Sequence, residues 1–418
     1  MNLLIKNAKI IDDTSSHHLL TKDILIENGV LSKIEDSIEN TSNYETLKLE
    51  NLHVSQGWFD SSVCLGEPGF EDRETLENGL NTAGKSGFTS IAMNPNSKPV
   101  FNDNAQIFSV KSRTQHHAVN LKPIGALTVN SDGVDLAELY DMQQAGAIAF
   151  YDYKKPISNP NLLKIALQYT KHLEGFVYSH PLEQKISGNG VMNEEKLSTM
   201  PGLAGSPNLA EAMQVARDLF LLEYTKGKLH IPTISTRESI DLIREAKIKG
   251  LQVTCSVAIH NLFFTDEMLH DFDTKYKVNP PLRTQQDIDA LLEGLSNGTI
   301  DYITSDHNPL TIEDKNVEFE HASNGTIGLE SAFGALNTLF STEIAIKLLT
   351  RGKKHYQIES FSIEVGEKAN LTLFNPDEDY LFDKSCVFSK SKNSIFLDHD
   401  LTGRAYGVIA NNQIILRK

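Results

Sequence analysis

Eight polar or thiol-bearing residues fall just beyond apolar segments of strand-like length: Ser62 and Cys64, Asn96, Asp152, His180, Thr233, His260 and Asp306. Histidine, aspartate and cysteine are the side chains that ligate divalent ions or move protons, and Ser, Thr and Asn hold small molecules by hydrogen bonds. In a barrel of alternating strands and helices, the residue after each strand faces one common rim. The eight positions therefore read as one site. Each also has a plainer use: Cys64 as a small buried apolar residue, His180 as a packed rim histidine, Asp306 as a cap, Asn96 and Asn279 as turn residues.

The elements that must position them are legible. Strand-like segments precede Ser62 and recur at 90–93, 121–126, 147–150, 175–178, 228–233, 252–256 and 302–305. Between them lie amphipathic helices such as 206–224, with Pro207 near its start, and 236–249, which Gly250 ends. About eight βα units without a Gly-rich nucleotide turn predict an α/β fold of the TIM-type (β/α)8 class. Segments 3–11 and 23–34, with a turn at Asn28-Gly29, and 370–374 with 407–416, turning at Asn411-Asn412, are β in texture. The two ends are expected to join in a small β-sandwich. The expected division is 1–54 and 363–418 for the sandwich and 55–362 for the barrel.

Bulk properties narrow the function. A net charge of −16 in 418 residues and a pI near 5.3 disfavour nucleic acid and anionic membrane, which reward surplus Lys and Arg. No apolar run approaches the ~18 to 20 residues of a membrane span, and the apolar stretch before Lys6 is too short for a signal peptide, so a cytoplasmic location is expected. Three separated cysteines form neither a disulfide framework nor a zinc knuckle. The pairs His17-His18 and His116-His117 have no partners at metal spacing. His230, three residues before Thr233, is expected on the opposite face of its strand, away from the barrel interior.

Several motifs appear in order: Gly87-Phe-Thr-Ser90 with Asn94-Pro-Asn-Ser97, Gly146-Ala-Ile-Ala-Phe150, Gly202-Leu-Ala-Gly-Ser-Pro207, Asn279-Pro-Pro-Leu-Arg283, Ser305-Asp-His307, Gly325-Thr-Ile-Gly-Leu-Glu330 and Gly366-Glu-Lys-Ala-Asn-Leu371. Together they make nearly the whole chain resemble the dihydroorotases, a branch of the cyclic amidohydrolases. The resemblance implies two zinc ions and a first-strand motif Asp-x-His-x-His-Leu-Arg-Glu-Pro-Gly, whose Arg holds the substrate carboxylate. Here Ser62, Cys64 and Gly66 stand at the His, His and Arg positions, Thr233 replaces a further His, and Leu310 replaces a rim His. His180 matches one metal histidine and Asp306 the catalytic aspartate, as a proton shuttle or a vestige. Asp152 is matched with the bridging carboxylate, in a motif with two adjacent Asp where this chain has Asp152-Tyr153. Asn96 and Asn279 match substrate contacts, and His260 a supporting rim position.

Neutral hydroxyls are weak zinc ligands, so the cofactor expectation is no metal or at most one zinc. Three functions compete. One is a non-catalytic or scaffolding dihydroorotase homologue, a homodimer or a partner of aspartate transcarbamoylase or of an active dihydroorotase. The second is a cyclic amide hydrolase, converting dihydroorotate to carbamoyl aspartate with a reduced metal site at Asp152, His180, Asp306 and Cys64. The third is a non-catalytic binder of a small cyclic amide.

Overall fold

The structure, a computed structural model, describes residues 1–40, 44–173, 175–194 and 203–417; Gly202, the first residue of the Gly202-to-Pro207 motif, and Lys418 lie outside the described residues. In chain order the strands are β1 Leu3–Ile10, β2 Thr21–Glu27, β3 Val30–Glu35, β4 Glu45–Leu47, β5 His53–Gln56, β6 Trp58–Val63, β7 Phe88–Met93, β8 Asn120–Pro123 and β9 Ala149–Phe150. They continue as β10 Phe176–Tyr178, β11 Met192–Asn193, β12 Gly205–Ser206, β13 Leu229–Ile231, β14 Val253–Ala258, β15 Tyr302–Thr304, β16 Leu371–Phe382, β17 His399–Ala410 and β18 Gln413–Leu416.

The two termini share one sheet of order β18-β17-β16-β5-β1-β2-β3, with β4 beside β1. Its apolar interior takes Ile5, Ile24, Ile26, Val54, Leu371, Leu373 and Ile409 from both ends of the chain. Antiparallel pairing of β5 with β16, Val54 opposite Leu373, is the seam. Both expected hairpin turns are present, with Asn28, Gly29, Asn411 and Asn412 all at positive φ, the type I′ geometry that Asn and Gly favour. Because β5 runs to Gln56, the sheet extends two residues past the expected boundary at 54. Trp58 then seals the junction, packing on Phe88, Phe333 and Phe374.

The barrel follows the order β6-β7-β8 and β9-β10-β13-β14-β15, all parallel. Parallel bridges Gly125 to Phe150 and Val63 to His307 close the ring between these two arcs. The eight strands are those read from the sequence, with ends shifted by a few residues. Helices coat the outside. Asn208–Thr225 begins after Pro207, and Arg237–Ile248 is capped by Thr236, whose side chain accepts from the Ser239 amide, the standard device for an orphan N–H.

Candidate functional site at the barrel mouth

Ser62, at the end of β6, is buried; its hydroxyl accepts from Asn94 Nδ2 at 3.0 Å and donates to Asp306 Oδ1 at 3.4 Å. Asp306 follows β15 with φ +51 and is 2% exposed. Its other oxygen, Oδ2, accepts from the Lys154 ammonium at 2.6 Å, and the same ammonium donates to the Asn279 carbonyl at 2.6 Å. Lys154 itself has φ +52, and its side chain is only 10% exposed. The Asn279 side chain turns back to donate to His180 Nε2 at 3.4 Å. A continuous polar chain thus runs from Asn94 through Ser62, Asp306, Lys154 and Asn279 to His180.

Burial governs the electrostatics here. It lifts the Asp306 carboxyl above the ordinary carboxylate range, against the pull of Lys154. Burial also takes His180 and His260 down to about 3, with Lys154 adding to the fall, so both rings are neutral at pH 7. The Cys64 thiol is pushed up to about 11, first by burial. It accepts from Asn94 Nδ2 at 3.7 Å and lies against the Tyr153 side chain. Cys64 is therefore a neutral buried thiol rather than a thiolate.

Asp152 does not join this cluster. Oδ1 accepts from the Leu127 and Thr128 amides at 3.0 Å each and Oδ2 from Thr128 Oγ1 at 2.5 Å. The carboxylate expected to bridge metals is instead consumed in holding the loop after β8. The neighbouring side chain, Tyr153, faces Cys64, because successive residues after a strand point in different directions. Thr233 sits in a left-handed conformation, φ +49, with its hydroxyl buried and unpartnered. A β-branched residue there is a genuine outlier.

His230 corrects the expectation made from alternation. Its ring bonds Thr254 and Ser256 of β14 and the Tyr302 hydroxyl of β15, and packs on Tyr178 of β10. Side chains from four strands meet only in the lumen, so His230 lies inside the barrel. Period-two alternation does not reach Thr233, because β13 ends at Ile231 and the left-handed turn follows Pro232.

His260 Nε2 is buried without a partner, and Asn96 Nδ2 donates to Asn308 Oδ1 at 3.4 Å. Leu310 is buried, and its amide donates to Asn393 Oδ1 at 3.2 Å. Gly66 has φ +71, and a Cβ there would lie 2.5 Å from the Phe70 carbonyl oxygen. Any side chain, arginine included, would be strained on this backbone. Lys154, Asn94 and Tyr153 were absent from the sequence-based site; applying the post-strand rule to the whole 151–155 segment, rather than its first polar residue, finds two of them.

Two divalent metals would need several imidazole or carboxylate donors at this mouth. The carboxylate that would ligate is held by an ammonium, the first-strand pair is a hydroxyl and a neutral thiol, and Thr233 offers a hydroxyl. Among the described residues no group of three His, Cys, Asp or Glu is arranged to hold a metal ion. The residues present do not fit a binuclear centre.

A parallel eight-stranded barrel with a sheet built from both termini, its polar cluster at the strand ends, is the architecture of the cyclic amidohydrolases. Solved structures agree in fold: L-hydantoinase (dihydropyrimidinase) from Arthrobacter aurescens superposes with a TM-score of 0.85 at 22% identity, covering 100% of this chain and 96% of that one. Dihydropyrimidinase from Brevibacillus agri gives 0.81 at 20% identity, covering 100% and 95%. The Dihydro-orotase-like family pattern matches residues 53–239. The dihydroorotases of Acetivibrio thermocellus and Pelotomaculum thermopropionicum are 38% and 39% identical over 424 residues, each covering 100% of this chain and 99% of the relative. The chain belongs to the dihydroorotase family.

Proposed function

We propose that this chain is a non-catalytic member of its family, acting in pyrimidine biosynthesis as a structural subunit beside aspartate transcarbamoylase or a catalytic dihydroorotase. The observation that carries the reading is the buried Lys154 ammonium seated on Asp306. The family reaction needs a cation that polarises the amide and lowers the pKa of water. An ammonium supplies charge but no open coordination position, and its bond to Asp306 takes the carboxylate that would shuttle the proton. Gly66 offers no guanidinium for a substrate carboxylate.

Elemental analysis of the purified full-length protein, with an assay on dihydroorotate in added zinc, tests this. The expected outcome is substoichiometric divalent metal and no turnover above background. Turnover of ~1 s⁻¹ or more, within the ordinary enzymatic range, overturns it.

A second reading, binding of a small cyclic amide without turnover, is favoured by buried polar atoms without partners: His180 Nδ1, Thr233 Oγ1, Asn94 Oδ1 and His260 Nε2. Such atoms are costly unless a ligand or water satisfies them. A ligand at a hundred times its dissociation constant stabilises by roughly 2.7 kcal/mol. Thermal melting with dihydroorotate, dihydrouracil and hydantoin is the measurement; unchanged melting temperatures for all three at millimolar concentration remove this reading.

A further inference from the structure

A second polar cavity lies at the opposite end of the barrel from the mouth. Its walls include Ala147 and Ile148, just before β9, and Gly175 and Phe176, where β10 begins, so it opens at the N-terminal ends of the strands. Its volume is about 480 Å³, within the range that holds a small molecule. The N-terminal face of such a barrel ordinarily serves stability, while chemistry belongs to the other end. A roomy polar cavity on the floor therefore calls for a separate use.

Hydrogen-bond donors crowd it. The amides of Gln143, Gln144 and Gln357 and the imidazoles of His172 and His355 line the space, and none of these five side chains makes a hydrogen bond within the protein among the described residues. Even His355 stands 3.9 Å from Asp301 Oδ1, its one carboxylate neighbour, beyond hydrogen-bond reach. Neutral amides and imidazoles each offer at least one N–H to a ligand.

Two lysines stand beside them. Lys111 lies on Gly146, a lining residue, where an added Cβ would come 2.1 Å from its Nζ. Lys122 of β8 shares the lumen-facing side of its strand with Ile124, two residues on. Burial and the like charge of Lys111 both draw Lys122 below the ordinary lysine range, and only the exposed Glu359 opposes them. Neither ammonium has an ion pair or a hydrogen bond among the described residues. In a chain of net charge −16 carboxylates are plentiful, yet no Asp or Glu among the described residues lines this cavity. The cleft between the terminal sheet and the barrel, about 830 Å³, differs in this respect: it sets Asp12, Asp13 and Glu343 against Lys347, Arg351 and Lys354.

Two like charges held together without a counter-ion repel, and a dianion between them turns that repulsion into attraction. Phosphate supplies the double charge and enough acceptor oxygens for the surrounding N–H groups. Tyr140, Ile148 and Phe176 add an apolar wall for whatever carries it. We propose that this floor cavity binds a phosphate dianion, free or as a monoester, between Lys111 and Lys122, with the glutamine and histidine side chains completing its shell. The site is separate from the mouth and holds whether or not the mouth is catalytic.

Calorimetric titration of the full chain with inorganic phosphate, ribose 5-phosphate and adenosine 5′-monophosphate, with adenosine as the uncharged control, is the test. At least one phosphate is expected to bind with a dissociation constant below ~1 mM, and adenosine at least ~10-fold more weakly. Tightest binding by inorganic phosphate names the free ion as the ligand, and tighter binding by either ester names a phosphorylated small molecule. Lys111→Glu/Lys122→Glu is expected to weaken binding by ~10-fold or more with unchanged far-ultraviolet circular dichroism. Lys354→Glu, in the other cleft, is expected to leave it unchanged. Should the double variant fail to fold, Lys111→Glu alone, at an exposed position, is expected to weaken binding by ~3-fold or more. No binding of any of the three phosphates at ~10 mM overturns the proposal. So does adenosine binding as tightly as the phosphates, unchanged affinity in the lysine variants, or loss of binding in Lys354→Glu.

Discussion

Lys154→Met is expected to destabilise the protein by about 3–5 kcal/mol in urea unfolding, the usual result of stripping one partner from a buried ion pair. Asp306 is 2% exposed, and Lys154 is its only cationic partner among the described residues. Without the ammonium, the carboxylate keeps only the Ser62 hydroxyl at 3.4 Å. The lost bond to the Asn279 carbonyl adds to the cost and frees the loop that carries the one side-chain hydrogen bond of His180 among the described residues. Combining Lys154→Met with Asp306→Asn removes the uncompensated charge, so the double variant is expected to recover most of the loss. If the double variant is as unstable as the single, the pair does not act as a buried charge couple.

The second large effect concerns metal. Ser62→His/Cys64→His/Thr233→His restores the imidazoles that the family resemblance calls for, yet this triple variant is expected to bind no stoichiometric zinc while Lys154 remains. Two unit charges ~4 Å apart at an effective dielectric of about 20 repel by ~4 kcal/mol, and a divalent ion doubles this. Half of that total is already about a thousandfold in affinity. Adding Lys154→Gly is therefore expected to lower the zinc dissociation constant by at least ~1,000-fold, read by competition with a chelating dye. Equal zinc affinity in the triple and quadruple variants would falsify the role given to Lys154. Dihydroorotate turnover is expected to stay near background even then, because a side chain at Gly66 meets the Phe70 carbonyl at 2.5 Å, and no arginine fits that backbone.

Much of this molecule is legible in its sequence. The alternation of short apolar runs with amphipathic helices marked all eight barrel strands, since burial of a strand or a helix face is a local, periodic requirement. Asn28-Gly29 and Asn411-Asn412 marked the terminal hairpins for an equally local reason, the positive φ of the turn. That Ser62, Cys64 and Thr233 stand where the family resemblance implies metal-binding histidines, and Leu310 where it implies a rim histidine, was also visible, because it is a matter of residue type alone.

Direction was not visible. Asp152 looked like a ligand by position, but its carboxylate meets amides from the preceding strand's loop, 24 to 25 residues away in sequence. His230 looked outward by counting, but the count fails where the strand stops. Lys154 drew no notice in a polar loop, yet a left-handed backbone carries its ammonium across the mouth to a residue 152 positions away. Residue type and short-range periodicity suffice for the barrel, the joined termini and the absence of histidine at positions 62, 64 and 233. What fills the mouth is a matter of folding, because the aim of a side chain beyond a strand end is set by left-handed turns and by partners that only the folded chain brings near.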